Sequence, residues 1–91
     1  MEGQQVMTVR SRLKVLLWER NLARVKAGQG ALTLRQIADD TGLATSTLTG
    51  LTANRARRVD YDTLNVLCKY FDCRPCDILE YVEDDEEEEE A

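Results

Sequence analysis

The sequence predicts an all-α fold, a compact bundle of five short helices followed by a disordered acidic tail. Three observations lead there. Apolar residues recur at helical spacing in several short segments. Gly28, Gly30, Gly42 and Pro75 fall between those segments rather than inside them. Glu83 to Glu90 is an unbroken run of eight carboxylates, a stretch that has nothing to bury.

A chain of 91 residues allows one domain with one modest core. Its hydrophobic content of 43% and charged content of 32% suit a helical domain in water rather than a membrane span. The longest apolar run, Val15–Trp18, is far short of the roughly 20 residues that cross a bilayer. The N-terminus has no signal-peptide apolar region, which implies a cytoplasmic protein. With no His, the usual inventory of general bases and metal ligands is nearly empty. No enzyme, cofactor or small-molecule ligand is expected.

The net charge of −5 averages two unlike parts. Without the run of eight, nine acidic residues remain against twelve Lys and Arg, so Met1–Val82 carries about +3. The domain, expected over residues 1–82, is mildly basic. The tail, residues 83–91, is a polyanion.

The elements follow in order. Val6–Val9 alternates weakly, as a short strand would. From about Val9 to Lys26 the pattern is helical, with Leu13, Leu16 and Leu17 on one face and Trp18 beside it. Gly28-Gln29-Gly30 breaks that helix, so Ala23–Leu32 reads as a partly extended helix followed by a glycine loop. The second helix is expected over Leu34–Thr41. Thr33 is its cap, Gln36 the capping-box partner, and Leu32 with Ile37 has the spacing of a hydrophobic staple. Gly42 supplies the positive φ of a sharp turn. A third helix runs from Thr45 to about Ala53, with Leu48 and Leu51 inward. Asn54–Val59 is a basic loop. Asp60 caps a fourth helix over Tyr61–Phe71, with Leu64, Leu67, Cys68 and Phe71 inward. Pro75 opens a short fifth helix, a position that suits its fixed φ. Ile78 and Leu79 close the core, and Tyr81-Val82 trails into the tail.

Residues 33–53 thus form two short helices joined by a tight turn, with the small Ala38 allowing a steep, close crossing. Such a helix-turn-helix holds its second helix out from the body, where it can enter the major groove of DNA. The spacing of Thr33–Leu51 resembles the helix-turn-helix of the lambda-repressor-like (Xre/Cro-type) transcriptional regulators. LKVLLWER resembles that family's first helix. Val59–Tyr81 resembles the fourth and fifth helices of a subgroup with a Leu-Cys…Cys-x-Pro…Asp-Leu-Leu-Glu-Tyr pattern. The likeness spans roughly Val9 to Val82, and implies a lambda-repressor-like DNA-binding bundle.

The resemblance implies that the third helix reads bases, through Ala44, Thr45, Ser46, Thr49 and Gly50. Their hydroxyls can meet several bases, and the Ala and Thr methyls suit the thymine methyl. None is Arg, Asn or Gln, so no bidentate reader sits on this helix. Two positions depart from the family's usual residues: Ala44 stands where Ser often caps the reading helix, and Leu34 where Gln often meets a phosphate. Arg55, Arg57 and Arg58 follow the reading helix as cations do in the family. Arg favours phosphate because its planar fork makes two charge-assisted bonds. Arg12 and Lys14 near the first helix, with Arg35 on the second, complete the expected backbone-binding set.

The bland alternatives are a helix-turn-helix retained only for packing and a basic loop that is merely solvated. Cys73-x-x-Cys76 has ligand spacing, but three thiols and no His fall short of a structural zinc site. Cys68 and Cys73 read as packing positions, and Trp18 and Tyr61 as core or core-edge aromatics. The expectation is therefore a sequence-specific DNA-binding transcriptional regulator, a repressor of bacterial or phage origin, whose partner is double-stranded DNA. The alternative is a protein-interaction module or antitoxin-like adaptor on the same fold. Family members commonly bind palindromes as dimers, which implies a homodimer, with Val6–Val9 and Leu79–Val82 as the segments available for it. The tail either aids solubility or competes with DNA for the basic face.

Overall fold

A computed structural model describes Val6–Asp84 as five helices and two strands. The strands are β1 (Val6–Ser11) and β2 (Leu79–Asp84). Between them run α1 (Leu13–Lys26), α2 (Leu34–Thr41), α3 (Thr45–Thr52), α4 (Tyr61–Phe71) and α5 (Pro75–Ile78). β1 and β2 pair antiparallel from Val6 opposite Asp84 to Ser11 opposite Leu79. The fold is thus helical with a two-stranded ribbon, which corrects the all-α expectation.

The ribbon brings two further corrections. Val6–Val9 is indeed extended, but the strand continues to Ser11 and α1 begins only at Leu13. Tyr81 and Val82 do not trail away: β2 continues through Glu83 and Asp84, two residues past the expected start of the tail. Cross-strand pairing stabilises this otherwise acidic end, and Arg10 lies against Glu80 at 3.5 Å in register. The remainder of the tail call, residues 85–91, lies outside the described residues.

The core is one cluster of Leu13, Ile37, Leu48, Leu51, Leu67, Phe71 and Ile78, all buried. Every helix contributes to it. Leu64, Cys68, Cys73 and Leu79 pack on its edge, Leu64 and Cys68 as their helical spacing predicts and Cys73 as the resemblance implies. Trp18 and Tyr61 do not: they are 64% and 85% exposed. The reason differs for each. Tyr61 opens α4 beyond the layer that Leu64 and Leu67 occupy, whereas Trp18 sits on the side of α1 opposite Leu13, Leu16 and Leu17.

Local chemistry sets the helix ends. Thr33 Oγ1 accepts the Gln36 N–H at 3.0 Å, while the Gln36 amide turns forward to Asp40 instead of closing a capping box. Asn21 grips Leu32 through both backbone groups, at 2.7 and 3.0 Å, which fixes the entry to α2. Asp60 Oδ1 accepts the Thr63 N–H at 2.8 Å. The Tyr70 hydroxyl donates to Asp40 Oδ2 at 2.7 Å and ties α4 to α2.

Candidate nucleic-acid interface

The turn between α2 and α3 sets the site. Gly42 ends α2 with φ +81°, and its N–H donates to the Ala38 carbonyl. An L side chain at that φ would strain the backbone by roughly 1–2 kcal/mol. Thr41 Oγ1 then accepts the Leu43 N–H at 3.1 Å, which stiffens the turn. α3 leaves it with Leu48 and Leu51 buried and its opposite side open.

On that open side Ala44, Thr45, Ser46 and Thr49 are exposed. Among the described residues no side chain caps α3: Ala44 is the cap position and has no hydroxyl to offer. Nor do Thr45, Ser46 and Thr49 engage their hydroxyls with any described residue. Gly50 differs from the others. It is half-buried, with Ala56 3.7 Å from where its Cβ would stand, so it presents backbone rather than a reading side chain. α3 ends at Thr52, one residue earlier than the spacing suggested.

Past α3 the chain turns back on itself. The Arg55 and Ala56 N–H groups both donate to the Gly50 carbonyl, at 2.8 and 3.1 Å. Asn54 holds this turn in the left-handed region, φ +58°, and its Oδ1 accepts the Ser11 N–H. Arg55, Arg57 and Arg58 are therefore exposed on a pinned loop, and their side chains make no ion pair or hydrogen bond to other described residues. Arg58 and Arg55 share a groove with Ser46 and Gly50. On the other side of α3, Arg55 and Lys14 share a second groove with Thr49 and Leu34. Three elements thus converge on one face: α1 through Lys14, α3 through its hydroxyls, and the loop through Arg55 and Arg58.

The other three expected cations fall outside this grouping. Arg57 lines a separate groove with Val9, Arg10 and Ser11 of the ribbon. Arg12 is half-buried; its Nη1 donates to the Asp77 carbonyl at 3.1 Å and its Nε lies 3.6 Å from Glu80. Its charge is engaged in joining α1 to α5 and β2. Arg35 is exposed on the first turn of α2 and shares neither groove. Asn54 was missed by the sequence reading, although an Asn directly after a helix and before three Arg is a plausible left-handed turn residue.

The electrostatics are simple. Hydrogen bonding from Thr63, its hydroxyl first and then its N–H, holds the Asp60 carboxyl below the usual range, so the carboxylate beside the basic loop stays ionised. Burial, then proximity to Cys68, pushes the Cys73 thiol up, which makes it a poor nucleophile. Among the described residues no cluster of His, Cys, Asp or Glu could hold a metal ion. No helix among them is long and apolar enough to cross a membrane. What the face offers is cationic side chains around a row of short donors and acceptors, a surface suited to phosphates and base edges.

A family model described as a Cro/C1-type HTH DNA-binding domain matches residues 12–84. Comparisons with curated proteins and with solved structures gave no match.

Proposed function

The chain belongs to the Cro/C1-type helix-turn-helix DNA-binding family, and from that membership we propose that it is a sequence-specific transcriptional repressor of bacterial or phage origin. α3 lies in the major groove with Thr45, Ser46 and Thr49 toward base edges and the Ala44 methyl available to thymine. Gly50 leaves room for Ala56, which seats the arginine loop against the helix. Arg55, Arg57, Arg58 and Lys14 take phosphates on either side of the groove, with Arg35 reaching the flanking backbone. Phosphate contacts fix the register, base contacts select the sequence, and occupancy excludes polymerase. The repressor acts as a dimer on a two-fold related site, with half-sites about one helical turn apart.

One observation carries this reading. Arg55, Arg57 and Arg58 are exposed and unpaired among the described residues, on a loop anchored directly beside the open side of α3. A loop that served only solubility would need no such anchoring.

A second reading is a protein-interaction module or antitoxin-like adaptor. The uncapped α3 without a long polar side chain favours it. Mobility shifts on genomic fragments at two salt concentrations separate the two. A regulator gives discrete fragments that survive the higher salt; an adaptor shifts every fragment weakly at low salt, or none.

A further inference from the structure

α1 is built inside out beyond its first turns. Leu13, Leu16 and Leu17 face the core, but the next inward residues are Arg20, Asn21 and Arg24. Each is hydrogen-bonded to backbone of the body: Arg20 to the Phe71 carbonyl, Asn21 to Leu32, Arg24 to the Gly30 carbonyl. The apolar residues of this stretch lie on the other side. Val15, Trp18, Leu22 and Val25 are all exposed, Trp18 at 64% and Val25 at 59%. Their spacing of three, four and three is the seam spacing of a helix that packs on another helix. Nothing in the described chain covers them.

We propose that this stripe is where the protein self-associates, covered by α1 of a second copy running antiparallel. The stripe is symmetric about its middle. Antiparallel pairing sets Val15 against Val25 of the second copy and Trp18 against its Leu22, so each large side chain meets a smaller one. A two-fold interface requires this self-complementarity, and a stripe meeting an unrelated partner does not. The charges agree. Glu19 and Lys26 are exposed along the same flank of the stripe. In the antiparallel register Glu19 of each copy faces Lys26 of the other, giving two opposite-charge pairs across the interface. The other flank is Lys14 and Asn21, and Asn21 is turned back onto Leu32. A parallel pair would instead stack Trp18 on its own mate and set Lys26 against the occupied Asn21. Four side chains per copy over about 15 Å of helix make a small interface, so the dimer is weak and concentration-dependent.

The inference rests on the dimer of the proposed function, and the test uses the full chain without DNA, so its failure leaves DNA recognition by α3 untouched. Trp18 is the chain's only tryptophan and sits at the centre of the stripe, so its emission reports the interface directly. Emission should be blue-shifted at high concentration and red-shift on dilution, in step with a dimer-to-monomer transition in sedimentation equilibrium. Leu22→Glu should weaken the dimer by about tenfold or more, since each substitution acts twice. Glu19→Lys and Lys26→Glu should each weaken it roughly threefold or more, and the double variant E19K/K26E should restore it. Should Leu22→Glu fail to fold, this charge series decides alone. A chain that stays monomeric at high concentration would overturn the proposal. So would a dimer lost only on Val9→Glu in the ribbon, a double swap without restoration, or a Trp18 shift produced by anionic vesicles but not by protein concentration.

Discussion

The Ser11 backbone N–H donates to Asn54 Oδ1 at 3.0 Å, joining the end of β1 to the residue that turns the chain out of α3. The bond links the ribbon to the base of the arginine loop. Asn54 serves twice there, since it also adopts φ +58°. Asn54→Gly keeps the backbone but loses the bond, at about 1 kcal/mol. Asn54→Ala loses both and should cost a further 1–2 kcal/mol or so. Urea denaturation of the three proteins checks the order; equal midpoints would show that the turn is held by something else.

Replacing Arg55, Arg57 and Arg58 together by Ala removes three exposed guanidinium groups from the loop that follows α3. Each phosphate contact contributes about 0.9 to the slope of log affinity against log salt. The slope should flatten by roughly 2–3, and binding to all DNA should weaken alike. Fluorescence anisotropy across a salt series measures it, and an unchanged slope would take the loop out of the interface.

Asp60 gives a pH signature. Thr63 lowers its pKa from 3.8 in the folded chain. A lowered carboxyl contributes stability that is complete above the unfolded value and is lost as pH falls through the folded one. Asp60→Ala should lower the melting temperature at neutral pH, and its gap from the native chain should close as pH falls through the folded pKa, below 3.8. Thermal melts from pH 7 downward show the gap; one that stays constant would mean the carboxylate is not the cap.

The acidic run extends past β2, and truncation after Asp84 removes its last carboxylates while leaving the ribbon intact. Seven residues reach at most about 25 Å, enough to contact neighbouring basic surface. If the tail competes with DNA, the truncated chain binds random DNA more tightly at low salt, and the gain fades as salt rises. Equal affinities at low salt would leave solubility as its role.

Much of this was legible in the sequence because the relevant signals are local. Thr33, Gly42, Asp60 and Pro75 mark helix ends through their own backbone chemistry, and the seven core residues fall on the expected helical faces. The ribbon was only half visible. Its pairing joins Val6–Ser11 to Leu79–Asp84 across nearly the whole chain, and no local pattern encodes a partner that distant. Trp18 and Tyr61 were misplaced because aromatic character alone does not say which side of a helix meets the core. Arg12 and Lys14 look equivalent as sequence. Only the fold separates Arg12, bound to Asp77 and Glu80, from Lys14, which stands beside Thr49.

The most direct measurement is sequence discrimination by α3 itself. Selection from a random DNA pool defines a preferred site. The native chain, Ser46→Ala and Thr49→Ala are then titrated against that site and against random DNA. Each lost base contact should cost about 1–3 kcal/mol on the preferred site and leave random DNA nearly unchanged. Equal losses on both, or a pool that yields no preferred site, would contradict reading by α3.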